Sequence, residues 1–122
     1  MIENLPPPAE KWVINLELVR IKLLLSDPDK IEIAANRKKN MDLFAKLGIT
    51  ATGCLTYLRQ LTYENYLSGP EDDRDTGEKD CVWEFGIVIN EIDIYIKIVH
   101  KVNDNMLVLS FHEAERPLVF RY

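Results

Sequence analysis

Cysteine is scarce: Cys54 and Cys81 are the only two, with no CxxC pair and no Cys/His cluster at zinc spacing. Two free thiols in a reducing compartment are the expectation, with a disulfide or a metal site as the alternative. Glycine (5) and proline (6) are too few for a collagenous or low-complexity chain. No apolar run approaches the ~20 residues that a membrane helix needs. The opening Met1-Ile2-Glu3-Asn4-Leu5-Pro6-Pro7-Pro8 has neither the basic start nor the apolar core of a signal peptide, so cytoplasm is the expected location. A Gly-rich phosphate loop, GxSxG, HExxH and the calcium-loop pattern are also missing, and no cofactor or metal is expected.

What is present is the ordinary balance of a globular domain, 47% apolar and 29% charged residues in a chain of 122. A domain of that length buries roughly two-thirds of the surface its unfolded chain exposes. The net charge of −5 argues against a polyanionic partner until its distribution is considered. Six acids against two bases put −4 on Gly69–Asp80, leaving 14 acids against 13 bases elsewhere. The body is close to neutral and has room for a local basic patch.

Pro6-Pro7-Pro8 predicts an extended lead-in, with a helix opening at Ala9 or Glu10. Trp12, Leu16, Val19 and Leu23 form one apolar stripe on it, and Ile14, Leu18, Ile21 and Leu25 a second. Apolar on two faces, this helix is expected to be buried or clamped against a partner, a second copy included. Ser26-Asp27-Pro28 stops it, and Lys30–Ala34 alternates like a short strand. Asn36 then caps a helix running to Leu47, with Met41, Phe44 and Leu47 inward and Gly48 as its left-handed end. Thr50 or Thr52 caps a third helix carrying Leu55, Leu58 and Leu61, and one more turn is expected at Tyr63–Tyr66. Residues 69–80 read as a mobile, solvated acidic loop.

After Asp80 the apolar period changes from about 3.6 to 2. Cys81–Ile89, Ile92–Val102 and Met106–His112 read as strands joined by turns at Asn90-Glu91 and Asn103-Asp104-Asn105. Links this short join antiparallel neighbours. The tail, residues 113–122, is too apolar to hang free. The expected fold is one α+β domain over 1–122: helices in about 9–66, packed on one face of an antiparallel β-meander in 81–112.

Alternation sorts the strand side chains. Trp83, Phe85 and Ile87, the isoleucines 92, 94, 96 and 98, and Leu107, Leu109 and Phe111 point inward. Glu84, Tyr95, Lys97, Ser110 and His112 then share an exposed face, with Lys101 further along the middle strand and Val82, Gly86, Val99 and Val108 among them. A carboxylate, a phenol, an ammonium and an imidazole are what acid–base chemistry on a phosphodiester uses. A solvated polar face gives the same pattern. His100 reads as a hydrogen-bonded core or rim residue. Arg37-Lys38-Lys39 with Lys46 can clamp phosphates or simply form helix surface, and Tyr63 and Tyr66 can stack on bases or pack the helix end.

Several segments carry a family resemblance: Phe44-Ala45-Lys46-Leu47-Gly48-Ile49-Thr50, Leu61-Thr62-Tyr63-Glu64-Asn65-Tyr66, Trp83, Ile94-Tyr95-Ile96-Lys97-Ile98 and Leu107-Val108-Leu109-Ser110-Phe111. Together they resemble the MqsR family of toxins from bacterial toxin–antitoxin pairs, within the wider RelE-like ribonuclease fold. The resemblance implies metal-independent endonucleolytic cleavage of mRNA, suppressed by a partner antitoxin. It also implies a site built from a lysine after the tyrosine closing the third helix, a glutamine after the tryptophan, and the strand tyrosine. Here those positions are Leu67, Glu84 and Tyr95, with Lys97 following.

Two readings follow. One is an endoribonuclease with Glu84, Tyr95, Lys97 and His112 as catalytic groups and Tyr66, Lys101 and Ser110 contacting RNA. The other is a non-catalytic protein-binding module of the same fold.

Overall fold

The computed structural model describes residues 5–72 and 79–122. Among these residues, three helices, α1 (Lys11–Leu24), α2 (Lys38–Leu47) and the short α3 (Cys54–Leu58), accompany a five-stranded sheet; α1 and α3 pack on its core face, and α2 packs along its β5 side. The strands are β1 (Ile31–Ile33), β2 (Tyr66–Asp72), β3 (Cys81–Ile89), β4 (Ile92–His100) and β5 (Met106–Glu113), in spatial order β1-β5-β4-β3-β2. The α+β expectation and the β3–β4–β5 meander hold. β1 is the departure, pairing parallel with β5 through Ile31↔Met106 to Ile33↔Val108.

The helices are positioned by their ends. α1 follows the three prolines and stops at Leu25, after which the Asp27 side chain accepts from the Asp29 amide. α2 ends in a left-handed Gly48, with the Ile49 amide donating back to the Phe44 carbonyl, a closure that glycine permits without strain. Its inward set is Asn40, Leu43 and Phe44; Met41, expected inside, is exposed, and Arg37 rather than Asn36 stands at its start. α3 is shorter than expected, and Leu61 is buried beyond its end. Tyr63–Asn65 forms one 3-10 turn, closed by a reciprocal Thr62–Asn65 cap.

Between the helices and sheet lies one apolar core in which Ile94, Ile96, Ile98, Phe85, Phe111, Leu58, Ile14 and Ile21 are all fully buried. Each such side chain contributes about 1.5–3 kcal/mol. α1 is not buried on both sides: Ile14, Leu18 and Ile21 enter the core, while Trp12, Leu16, Val19 and Leu23 face solvent.

Two further expectations are corrected. The acidic stretch is not a loop from residue 69, because β2 runs through Asp72 along β3, with two irregularities in its register. Gly69 sits within the second of them at φ +113, where a Cβ would lie 2.6 Å from the Val82 carbonyl oxygen. Asp80 is buried, its Oδ1 accepting from the Val102 amide at 2.8 Å. Residues 73–78 lie outside the described residues.

The second correction concerns β5. Lys97 pairs with Ser110 but Ile98 pairs with Val108, so Leu109 is an extra residue, a β-bulge. The bulge reverses the phase of alternation. Met106 and Val108 are buried against the core before it and Phe111 after it, while Leu107 and Leu109 are only half-buried. Val108 therefore points opposite to its expected direction; Ser110 and His112 keep theirs.

The tail docks, as its composition suggests. Leu118 lies against Gly86, Arg121 donates to the Pro6 carbonyl, and the Tyr122 hydroxyl donates to the Ala9 carbonyl at 2.6 Å.

Candidate functional site

The sheet face turned away from the core is ordered in cross-strand rows. Val82, Val99 and Leu107 form one row, Ser68, Glu84, Lys97 and Ser110 the next, and Gly86, Tyr95 and His112 the third. Rows on one face repeat every two residues, about 7 Å apart. Five of the expected site residues, Glu84, Tyr95, Lys97, Ser110 and His112, therefore share two adjacent rows. The Tyr95 and His112 rings are 5.4 Å apart between centroids.

This face is not open in the way alternation suggests. Ser110 and His112 are 3% and 6% exposed, and Tyr95 and Lys97 are half-buried. Leu118 of the tail covers Gly86, next to Tyr95, and α2 walls the other side. Between α2 and the sheet is a cleft of about 340 Å³, lined by Lys39, Asp42, Leu43 and Lys46 from the helix and by His112, Glu113 and Glu115. Its volume is within the range of small-molecule and substrate sites.

The bulge is held by side chains at the start of α2. Asn40, fully buried on α2, donates from Nδ2 to the carbonyls of Ala34 (2.9 Å) and Leu109 (3.1 Å) and accepts at Oδ1 from the Phe111 amide (3.0 Å). Its amide thus satisfies backbone groups that the extra residue takes out of the ladder. Arg37, one turn earlier, donates from Nη1 to the Leu109 carbonyl (2.7 Å) and to Ser110 Oγ (3.0 Å). A guanidinium anchored this way has lost much of its rotational freedom and retains donors for an anion. Alternation within the strands gives no sign of it, because Arg37 reaches the face from another element. The basic run Arg37-Lys38-Lys39 was its only trace in the sequence.

Protonation follows from partners. His112 Nδ1 lies 3.0 Å from the Glu113 carbonyl oxygen, which can only accept, so Nδ1 carries the hydrogen and Nε2 is the free base of the neutral ring. Burial, followed by the charge of Glu84 and a hydrogen bond with it, pushes the Tyr95 hydroxyl above its ordinary range, against a smaller opposing pull from Arg37. Tyr95 is a neutral donor at physiological pH. Lys39 and Lys46 pair with Glu115 (2.7 Å) and Glu113 (2.9 Å), exposed bridges of small worth. An entering polyanion competes with those carboxylates for both ammonium groups.

Two expected contact residues are elsewhere. Tyr66 is 1% exposed; its hydroxyl donates to the Gly69 carbonyl and accepts from the Ala9 amide, so it packs the core and cannot stack on a base. Lys101 lies past the end of β4, beyond the Val82–Val99–Leu107 row. Leu67 precedes Ser68, the β2 partner of Glu84.

His100 has a different task. Its Nδ1 and Nε2 are each 2.7 Å from a carboxylate oxygen, of Glu17 and Asp104, so both nitrogens are donors and the ring is an imidazolium. The hydrogen bond to Glu17 dominates, against the opposing effect of burial, and raises the pKa to about 9. The cluster ties α1 to the β4–β5 turn. Cys54 is buried, its thiol pushed up to about 12 by desolvation, and Cys81 is raised for the same reason.

No protein family, curated protein or solved structure matches the chain. No helix among the described residues is long and apolar enough to cross a membrane.

Proposed function

We propose that the chain is an endoribonuclease of RelE-like fold, an MqsR-like mRNA-interferase toxin of the cytoplasm, held inactive by a cognate antitoxin. The observation that carries this reading is the fixed tautomer of His112, whose Nε2 is the basic nitrogen of the neutral ring, in a cleft lined by Lys39 and Lys46, with Lys97 and the Arg37–Ser110 pair in the adjacent row of the sheet face. In RNA cleavage the ribose 2′-hydroxyl gives its proton to a base and attacks the adjacent phosphorus. The P–O5′ bond breaks, and the leaving oxygen takes a proton from the Tyr95 hydroxyl, which water then restores. His112 Nε2 is the base, Arg37 and Lys97 meet the charge that builds on the phosphoryl oxygens, and Tyr95 holds the leaving oxygen by its hydroxyl. The products are a 2′,3′-cyclic phosphate and a 5′-hydroxyl.

The departures at Leu67 and Glu84 from the family pattern move this chemistry away from a lysine–glutamine site and toward His112 and Arg37. Incubation of purified protein with a 5′-labelled mRNA, with fragment ends mapped, tests the reading directly. Cyclic-phosphate ends lost in His112→Asn support it. RNA left intact by the wild type across pH and salt overturns it.

A second reading, a protein-binding module without catalysis, is favoured by Glu84 in the same row as Lys97 and by the carboxylates already seated on Lys39 and Lys46. Its signature is intact RNA together with tight capture of a protein ligand that Lys97→Glu abolishes.

A further inference from the structure

α1 carries two apolar stripes, and the fold consumes one. Ile14, Leu18 and Ile21 are at most 4% exposed, whereas Trp12, Leu16, Val19 and Leu23 are 64%, 45%, 55% and 68% exposed. The exposed four are separated by four, three and four residues, the spacing of a coiled-coil seam. Such a seam fits the ridge of another helix, since a strand would match only alternate positions. Leaving it in water is costly. It amounts to roughly 400 Å² of contiguous apolar side chain, the size that marks an interaction surface.

We propose that this stripe is the seam of an antiparallel homodimer, in which α1 of one copy packs along α1 of a second. Three features favour a second copy. The stripe is self-complementary when reversed: Trp12 faces the other copy's Leu23, and Leu16 faces its Val19, large side chains meeting smaller ones across a two-fold axis. The helix is basic near its end, at Arg20 and Lys22, whereas at its start Lys11 balances Glu10. Reversal keeps the two basic ends apart, and it opposes the two helix dipoles favourably. A parallel pairing would instead set Arg20 and Lys22 beside their own copies. The area also fits. Two stripes with their polar rims bury about 1,200 Å², the low end for a specific complex, so the dimer is concentration-dependent, with a dissociation constant on the order of micromolar.

The dimer leaves the cleft free, because α1 and the Tyr95–His112 face lie on opposite sides of the sheet. Assembly is therefore independent of the catalytic reading. Sedimentation velocity from low to several hundred micromolar wild-type protein tests it. A monomer–dimer equilibrium is expected, and Leu16→Glu should weaken it by about 100-fold without lowering the melting temperature, because the side chain is exposed. Orientation is tested by oxidative cross-linking. Trp12→Cys and Leu23→Cys chains should cross-link when mixed and not when each is alone. A wild type that stays monomeric at every concentration overturns the proposal. So does a dimer that Leu16→Glu does not disturb, cross-linking of either cysteine variant with itself alone, or a stripe that binds lipid vesicles while the protein remains monomeric.

Discussion

The two faces of one sheet are built from the same alternating strands and end in opposite states. Toward the helices, Ile94, Ile96 and Ile98 meet Phe85, Phe111 and the α1 side chains, with no polar group required. On the other side, Ser110 and His112 are buried and Tyr95 and Lys97 half-buried, and a guanidinium, a backbone carbonyl and a carboxylate hold the polar atoms of Ser110, His112 and Tyr95. No buried side-chain nitrogen or oxygen among the described residues lacks a partner. Burial on the first face is stability. On the second it orients groups: it fixes which nitrogen of His112 is a base, keeps the Tyr95 proton in place and immobilises Arg37.

That contrast predicts an order of effects. The largest is at the joint between α1 and the sheet. Replacing His100 by leucine leaves Glu17 buried and unpaired, and chemical denaturation should show a loss of about 3–5 kcal/mol. The same pair makes stability pH-dependent. A histidine raised from 6.5 to about 9 stabilises fully below pH 6.5, and that contribution is lost as pH rises through 9. Melting temperature should fall between those limits in the wild type, and the fall should shrink in a Glu17→Gln, His100→Gln double variant.

Next is the core face itself, where Ile96→Ala opens a cavity and should cost about 2–5 kcal/mol. Asn40→Ala comes third. It strips partners from the Leu109 bulge and should cost about 1–3 kcal/mol, with hydrogen exchange rising at the Phe111 amide. An equal loss of protection across the whole sheet would contradict a local role. The smallest effect is a gain. Asn90 and Glu91 both have positive φ in the two-residue turn between β3 and β4, and Glu91→Gly should raise stability by about 1 kcal/mol by removing left-handed strain.

How much of this was legible depends on whether the information is local. The isoleucines of β4 repeat every second residue and have one inward phase, so register, meander and core follow from sequence. In β5 the apolar residues run without interruption from Met106 to Leu109, so both phases look inward and nothing marks the bulge. β2 hides because its charges are those of a solvated loop, although an edge strand tolerates them. The rows that join Glu84, Tyr95, Lys97, Ser110 and His112 were readable from alternation alone. Arg37 and Asn40 were not assignable to the site, since they reach it by a helix packing from outside the sheet. Tyr66 was misplaced because a tyrosine ending a helix reads the same whether its ring faces solvent or the core.

The central claim is that the second face performs chemistry through His112 Nε2. The most direct measurement compares RNA cleavage by the wild type and His112→Asn under single-turnover conditions. Asparagine keeps a donor for the Glu113 carbonyl and removes the base. The account predicts a rate lower by about 10²–10⁴ in a variant that still shows the wild-type fold by circular dichroism. Equal rates in the two proteins would contradict it.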